Sequence, residues 1–213
     1  VGIITVDDVV DILEEETTED IEKMAAVMPS DKPYLRTTVF EAYKKRIPWL
    51  LLLMISATFT GSIITSFENA LSRYVVLTAF IPMLMDTGGN AGGQASAIII
   101  RGLSLDEIEF GDWFTVVWKE IRTAALCGLT LALCNFGRLL LLDKVSVAVA
   151  FVVCVTLFVA VVVAKIVGST LPMLAKKIGM DPAVMASPFI TTIVDAISLL
   201  IYFRVASLVL GIG

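Results

Sequence analysis

The chain contains no histidine, and this absence excludes several classes of site. Zinc, copper and nickel centres built on imidazole are ruled out, as is acid–base catalysis by histidine. Cysteine is scarce, with three thiols in 213 residues. All three lie in apolar stretches without metal-ligand spacing, so we expect small buried side chains and no metal site.

Long apolar stretches make up most of the remaining sequence. Hydrophobic residues account for 57% of the chain, and five stretches are long enough to span a bilayer, which takes about 20 mostly apolar residues each. They are residues 47–67, 74–100, 121–142, 145–175 and 183–212. None alternates like a barrel strand, and lipid does not tolerate unpaired backbone groups. The sequence therefore predicts an all-α integral membrane protein with five transmembrane helices.

Lysine and arginine in the short connections predict the orientation of these helices. The basic residues on one side are Lys44, Lys45, Arg46, Arg101, Lys119, Arg122, Lys176 and Lys177. The connections on the opposite side contain only Arg73 and Lys144. We therefore expect a multi-pass protein of the plasma membrane, with a cytoplasmic N-terminus and an external C-terminus.

The first 46 residues have a different composition. Nine of the 21 acidic residues fall within the first 22 positions, where no basic residue occurs. Residues 2–6 predict a short strand, and the apolar spacing that follows predicts a one-sidedly acidic helix from Asp7 to Met28. Its carboxylates either form a solvated helix face or bind Mg²⁺ or Ca²⁺, which prefer oxygen ligands.

Two prolines between residues 28 and 33 end that helix. Residues 34–46 place apolar side chains on one side and basic ones on the other. This pattern is typical of a short amphipathic helix in the cytoplasmic headgroup layer, and a plain helical linker into the membrane is the alternative. The chain starts without an initiator methionine or a basic leader, so we expect a fragment of a longer protein.

Asp195 is a lone carboxylate within the fifth apolar stretch. A charge at the centre of a spanning helix costs about 2.5–3.5 kcal/mol, so a partner must offset it. No basic residue lies within one helical turn, which leaves another helix, another subunit or a cation. Lys165, in the fourth stretch, is the fixed partner to consider. Polar residues on the same face as Asp195 are Ser187, Thr191, Ser198 and Tyr202.

The second apolar stretch also contains polar residues. Asp86, Asn90 and Gln94 recur every four residues and so share one helix face. Two overlapping glycine pairs accompany them, Gly88/Gly92 and Gly89/Gly93. Such pairs let another helix approach closely. Buried amides need partners, so we expect Asn90 and Gln94 to line or support a pore.

Five spans cannot divide into two equal inverted repeats, the common plan of secondary transporters. Two chains related by a twofold axis, with their fifth helices inward, would bring two Asp195 carboxylates face to face. A divalent cation on the axis would balance the two charges. This balance of charges predicts a homodimer with a cation path between subunits.

Several motifs of the chain resemble those of a known family. Residues 82–94, Pro-Met-Leu-Met-Asp-Thr-Gly-Gly-Asn-Ala-Gly-Gly-Gln, with Ile-Ile-Ile-Arg-Gly-Leu at 98–103, are similar to the second transmembrane helix of the MgtE magnesium channels. Asp-Pro-Ala at 181–183, Ser-Pro at 187–188 and Thr-Thr-Ile-Val-Asp at 191–195 resemble the start of their fifth helix. Residues 1–9 resemble the end of a CBS domain, and residues 18–24 resemble the family's connecting plug helix. The resemblance covers essentially the whole chain.

The resemblance implies a homodimer with a pore at its axis, lined by the second and fifth helices. Asp195 matches the aspartate that binds the ion, Thr191 matches the residue that offers its backbone carbonyl, and Asn90 lies in a Gly-Gly-Asn signature beside the pore. Ser187 joins these polar groups around a largely hydrated Mg²⁺. The regulatory Mg²⁺ sites map onto Asp8, Asp11, Glu16, Glu19, Asp20 and Asp181. Asp86 and Lys165 depart from the family pattern.

The same resemblance divides the chain into three parts. Residues 1–28 are expected to be the end of a CBS domain and the plug helix, residues 29–46 a linker and interfacial helix, and residues 47–213 the five-helix pore domain. Expected partners are a second copy, lipid and divalent cations. No nucleic acid is expected, and any nucleotide would bind in the CBS region that this chain lacks.

The hypothesis is therefore a Mg²⁺-selective channel, gated by cytosolic Mg²⁺, that carries the ion into the cytoplasm. One alternative is a divalent cation exchanger coupled to H⁺ or Na⁺, in which Asp195 is protonated during part of the cycle. The other is an intramembrane enzyme with Asp86 and Asp195 as paired acids.

Overall fold

The computed structural model describes residues 3–30, 32–185 and 187–211, without the side chains of residues 69, 70 and 187. These residues contain seven α-helices and no strand, which confirms the all-α prediction for them. The helices are α1 (Val6–Met24), α2 (Val39–Ser66), α3 (Glu68–Arg73), α4 (Ile81–Ser104), α5 (Trp113–Leu141), α6 (Val147–Lys177) and α7 (Ser187–Leu210). Short 3₁₀ turns lie at Tyr34–Arg36, Val75–Phe80, Phe110–Asp112 and Pro182–Met185.

Four helical segments of the described chain are long and apolar enough to cross a membrane. They are Val39–Ser66, Phe110–Leu141, Val147–Lys177 and Pro182–Leu210, and they overlap the first, third, fourth and fifth predicted spans. The predicted second span over 74–100 instead divides into a 3₁₀ turn and α4. At 24 residues, α4 is about 36 Å long, but Asp86, Asn90 and Gln94 make it less apolar than the others. A fifth span therefore stays a prediction.

The N-terminal helix begins with a capping box. The Thr5 hydroxyl accepts a hydrogen bond from the Asp8 amide at 3.3 Å, and the Asp8 carboxylate accepts one from the Thr5 amide at 2.8 Å. The predicted strand is wrong for residues 3–6, because Thr5 starts a helix and a lone strand would have no partner in the described chain. Residue 2 lies outside the description. The helix ends at Met24, four residues early, and Ala26 turns the chain with a left-handed φ of 55°.

The separate interfacial helix predicted within residues 34–46 is wrong. Thr38 and Glu41 form a capping box that starts α2 at Val39, and the helix then continues without a break into the first span. Pro48 lies inside α2 and removes one backbone donor, yet it does not end the helix. The structure thus agrees with the linker alternative. The depth of these first turns relative to the headgroups stays a prediction.

The fold is organised around α6, which packs against α4, α5 and α7. At one end of this helix bundle, fully buried side chains form a cluster that includes Leu77, Leu84, Tyr202 and Phe203. The Tyr202 hydroxyl donates a hydrogen bond to the Leu77 carbonyl at 3.0 Å, so this buried polar group has a partner. By contrast α2 buries only Thr60, and its apolar surface suits contact with lipid.

The cysteines only partly follow the prediction of burial. Cys154, on α6, is buried, whereas Cys127 and Cys134 are exposed on α5. The difference arises because α5 packs on α6 through one face and presents its other face outward.

Glycines let α4 approach its neighbours closely, as the small-residue pattern predicts. A Cβ added to Gly88 would lie 2.9 Å from Val194 Cγ1, and one added to Gly89 would lie 2.9 Å from Thr191 Cγ2. On the α6 side, a Cβ on Gly168 would overlap the carbonyl oxygen of Gly92. The backbones of α4 and α6 are therefore in direct contact, and side chains of α7 press onto α4.

Candidate functional site

Asp195 lies where α7 meets the glycine face of α4. Thr191, one turn earlier, packs on Gly89, and Ser198, one turn later, packs on Gly88. The side chain is half-buried, and its Oδ1 atom is shielded from solvent without a hydrogen-bond partner in the described chain. Buried carboxylate oxygens are almost always paired, so this one calls for a group from outside the chain.

Lys165 does not neutralise Asp195, and that alternative is wrong. Its ammonium pairs with the Glu120 carboxylate of α5 at 3.4 Å, and both residues are buried, at 5% and 8% exposure. Another carboxylate, Asp86, lies on α4 within one turn of Gly88 and Gly89, the glycines that α7 contacts beside Asp195. Two carboxylates thus stand near each other at the α4–α7 contact, and a cation would relieve their repulsion.

Asp86, Asn90 and Gln94 are exposed on one face of α4, which confirms their predicted alignment. They face a cavity of about 520 Å³ that we call the α4–α5 groove. Its other lining residues are Thr87, Ala91, Leu126, Cys127, Thr130, Leu131, Val161 and Lys165. The groove exists because α4 and α5 both pack on α6 and scarcely touch each other.

The four predicted pore residues occupy different settings within one chain. Asp195 and Thr191 share the α4–α7 contact, whereas Asn90 faces the α4–α5 groove, whose lining includes neither of them. The Thr191 hydroxyl donates to the Pro188 carbonyl at 3.0 Å. The side chain of Ser187 lies outside the described residues. Asp86 relates the two settings, since it lines the groove and lies within one turn of the glycines that contact α7.

The six acids predicted for the regulatory Mg²⁺ sites lie in different surroundings, and their role stays a prediction. Asp8 serves the capping box of α1, where hydrogen bonds from Thr5 lower its pKa. Asp20 accepts a hydrogen bond from the Ser104 hydroxyl at 3.3 Å. Asp11, Glu16 and Glu19 line an acidic hollow whose other wall includes Pro29, Ser30, Lys32 and Pro33. No group of three acidic or thiol side chains suited to a metal occurs in the described chain.

Lys23 brings two of the six acids, Glu19 and Asp181, together. Its ammonium forms ion pairs with Glu19, one turn back on α1, and with Asp181, just before the turn that leads to α7. Burial opposes the charged amine, but the hydrogen bonds to Asp181 and Glu19 outweigh it and raise the pKa of Lys23 above its usual value. The Asp181 carboxylate also accepts from the Ala183 amide at 2.8 Å. The Lys23 ammonium therefore links α1 to the segment that precedes α7.

Sequence analysis does not single out Glu120 or Lys23. It places the start of the third span at residue 121, one position beyond Glu120, whereas α5 begins at Trp113. The available signal is that Glu120 and Lys165 are opposite charges near the same predicted membrane face of successive spans. Lys23 gives no such signal, because its contact with Asp181 joins residues 158 positions apart.

Comparison with known proteins places these features in a family. Residues 81–205 match the MgtE family model, described as a divalent cation transporter. The magnesium transporter MgtE of Thermus thermophilus is 39% identical over 216 residues, covering 99% of this chain and 46% of that protein. The Bacillus subtilis protein of the same name is 37% identical over 212 residues, covering 97% of this chain and 45% of that protein.

The chain therefore spans about half the length of the curated relatives it matches. The matched segment includes α4, α5 and α6 with most of α7, and so contains both Asp195 and the α4–α5 groove. On these matches, together with its apolar helices, the chain belongs to the MgtE family of divalent cation transporters and is a multi-pass membrane protein.

Proposed function

We propose that two copies of this chain form a Mg²⁺-selective channel, with the ion path between them. The observation that carries the proposal is the Oδ1 atom of Asp195, which is shielded from solvent and has no hydrogen-bond partner among the described residues. Ionisable groups at membrane depth persist when they serve an ion path. The related proteins are named magnesium transporters, which identifies Mg²⁺ as the ion to test.

In this proposal α4 also crosses the membrane, as the second of five spans in each chain. Its exposed face with Asp86, Asn90 and Gln94 is too polar for lipid and needs water or protein opposite it. A second copy, related by a twofold axis, supplies that surface. The N-terminus is cytoplasmic and the C-terminus external, as the basic connections indicate.

The proposed site holds a largely hydrated ion. Mg²⁺ retains several of its waters and binds only one or two carboxylates directly. Two Asp195 side chains, one from each copy, balance its charge, and Thr191, Asn90 and Ser187 bind its waters. A membrane potential that is negative inside drives entry with about 4.6 kcal/mol per Mg²⁺ at 100 mV, twice the value for a single charge.

Recording from the reconstituted protein tests this function. In planar bilayers the channel is expected to give single-channel currents, with a reversal potential that moves by about 30 mV per tenfold change in the Mg²⁺ ratio, as for any two-charge process. A reversal potential that follows an H⁺ or Na⁺ gradient would support the exchanger instead. Liposomal Mg²⁺ flux without any current would also contradict the channel.

We propose that cytosolic Mg²⁺ regulates the channel at the Lys23 cluster, which consists of Lys23, Glu19 and Asp181. Cytosolic Mg²⁺ competes with the Lys23 ammonium for Glu19 and Asp181 and favours a closed arrangement of α1 and α7. An effector shifts such an equilibrium only by its differential affinity for the two states.

Neutralising both acids of this cluster is expected to weaken closure. In Glu19→Gln/Asp181→Asn, the concentration of cytosolic Mg²⁺ that halves the current should rise about fivefold or more, the lower end of typical allosteric coupling. Glu41→Gln is the control, because that acid pairs with Lys32 at 2.7 Å. Superimposable inhibition curves for the double variant and the unmodified protein would reject the role.

A further inference from the structure

A buried ion pair adjoins the α4–α5 groove. The ammonium of Lys165 on α6 and the carboxylate of Glu120 on α5 are 3.4 Å apart. The residues are 5% and 8% exposed, so both charges are largely withdrawn from water. Burying such a pair carries a desolvation cost that packed apolar side chains would avoid.

The two residues of this pair differ in their contact with the α4–α5 groove. Lys165 lines the α4–α5 groove, opposite the face of α4 that presents Asp86, Asn90 and Gln94. Glu120 is absent from the lining of the groove, and it pairs with the ammonium from α5. Of the two charges, the positive one therefore lines the same cavity as the polar face of α4, and the negative one does not.

An uncompensated ammonium here would interfere with a divalent cation. It would repel Mg²⁺ along the α4 face, at short range and in a medium of low dielectric constant. It would also find Asp86 in the same cavity, and the flexible four-carbon side chain of lysine could turn toward that carboxylate. Either effect would reduce the negative field that attracts the ion.

We propose that Glu120 is a positioning residue that holds the Lys165 ammonium in a neutral pair and so keeps its positive charge out of the ion path. The inference rests on the proposed function, because it requires cations to pass along the polar face of α4. The competing explanation is that the pair only joins α5 to α6. The two explanations predict different results for the single variants. If the pair is purely structural, removing either partner should reduce function by about the same amount.

Four variants separate these explanations through the Mg²⁺ flux per folded protein in proteoliposomes. Glu120→Gln leaves Lys165 alone and should lower flux about tenfold, a modest effect for a nearby unpaired charge. Lys165→Met removes the positive charge and should keep flux at or above the unmodified level. The double variant Glu120→Gln/Lys165→Met should restore flux, and Glu120→Asp, which retains the carboxylate, should lose little.

A second experiment avoids variants that fail to fold. Glu120→Gln/Lys165→Cys assembles without either charge, and an aminoethyl methanethiosulfonate then adds an ammonium at position 165 after reconstitution. Flux should fall with this reagent and persist with the uncharged methyl reagent. Glu120→Gln/Lys165→Met, treated in the same way, controls for Cys127, which lines the groove, and for the other native thiols.

The results of these experiments either support or overturn the positioning role of Glu120. A loss in Glu120→Gln that Lys165→Met does not share, together with block by the cationic reagent, supports the proposal. Equal losses in the two single variants, unmodified flux in Glu120→Gln, or no effect of the added ammonium overturns it. Failure of the unmodified protein to conduct Mg²⁺ would instead overturn the proposed function, so the two failures remain distinct.

Discussion

Asp195→Asn is expected to abolish Mg²⁺ flux, with a loss of about 100-fold or more relative to the unmodified protein. The amide has nearly the shape of the carboxylate, so the packing of α7 on α4 is preserved. What disappears is the negative charge that no side chain of the described residues neutralises at Oδ1. The measurement is dye-reported Mg²⁺ entry into proteoliposomes at a fixed inward-negative potential.

The matched control for this substitution is Asp106→Asn. Asp106 is an exposed acid that pairs with Lys176 at 2.9 Å, so the same chemical change there should leave flux within about twofold, as is usual for an exposed pair. Light scattering after size-exclusion chromatography checks that both variants keep the mass of the unmodified assembly. Normal flux in Asp195→Asn, at the same amount of folded protein, would refute the proposed ion site.

Gly168→Ala is expected to destabilise the protein by about 1–3 kcal/mol, the usual range for overpacking, and to lower flux as well. A Cβ at this position overlaps the carbonyl oxygen of Gly92, which is backbone and cannot rotate away. The added methyl must therefore separate α6 from α4, the helix that carries Asp86 and Asn90. Thermal unfolding in detergent should show a midpoint several degrees lower.

Gly137→Ala provides the comparison for this prediction. Gly137 lies within α5, and a Cβ there meets no atom within 4 Å. Alanine favours a helix over glycine by up to about 1 kcal/mol, so this variant should unfold at the same or a higher temperature. Equal midpoints for Gly168→Ala and Gly137→Ala would contradict the direct backbone contact between α4 and α6.

Features that depend on spacing within one helix could be predicted from the sequence. Asp86, Asn90 and Gln94 share a face because the helical period fixes it, and the glycine pairs indicate a close helix contact for the same reason. Asp195 is conspicuous because one charge in an apolar stretch is costly. Four of the five predicted spans follow from length and composition alone.

Features that depend on contacts between distant elements could not be predicted in this way. The Glu120–Lys165 pair joins two helices, and nothing within either helix specifies which side chain the lysine meets. The predicted interfacial helix fails because Thr38 and Glu41 cap a helix that runs on past Pro48. Among the acids of α1, position alone does not reveal that Asp8 caps the helix while Glu19 binds Lys23.

The central claim is that a mobile divalent ion neutralises the charge of Asp195. Its most direct test is anomalous diffraction from crystals of the protein grown with Mn²⁺ in place of Mg²⁺. The proposal predicts an anomalous peak on a twofold axis, between the Asp195 carboxylates of two α7 helices. The peak should weaken as Mg²⁺ is added in competition. A structure in which Asp195 faces lipid, with no peak near it and no second copy opposite, would contradict the proposal.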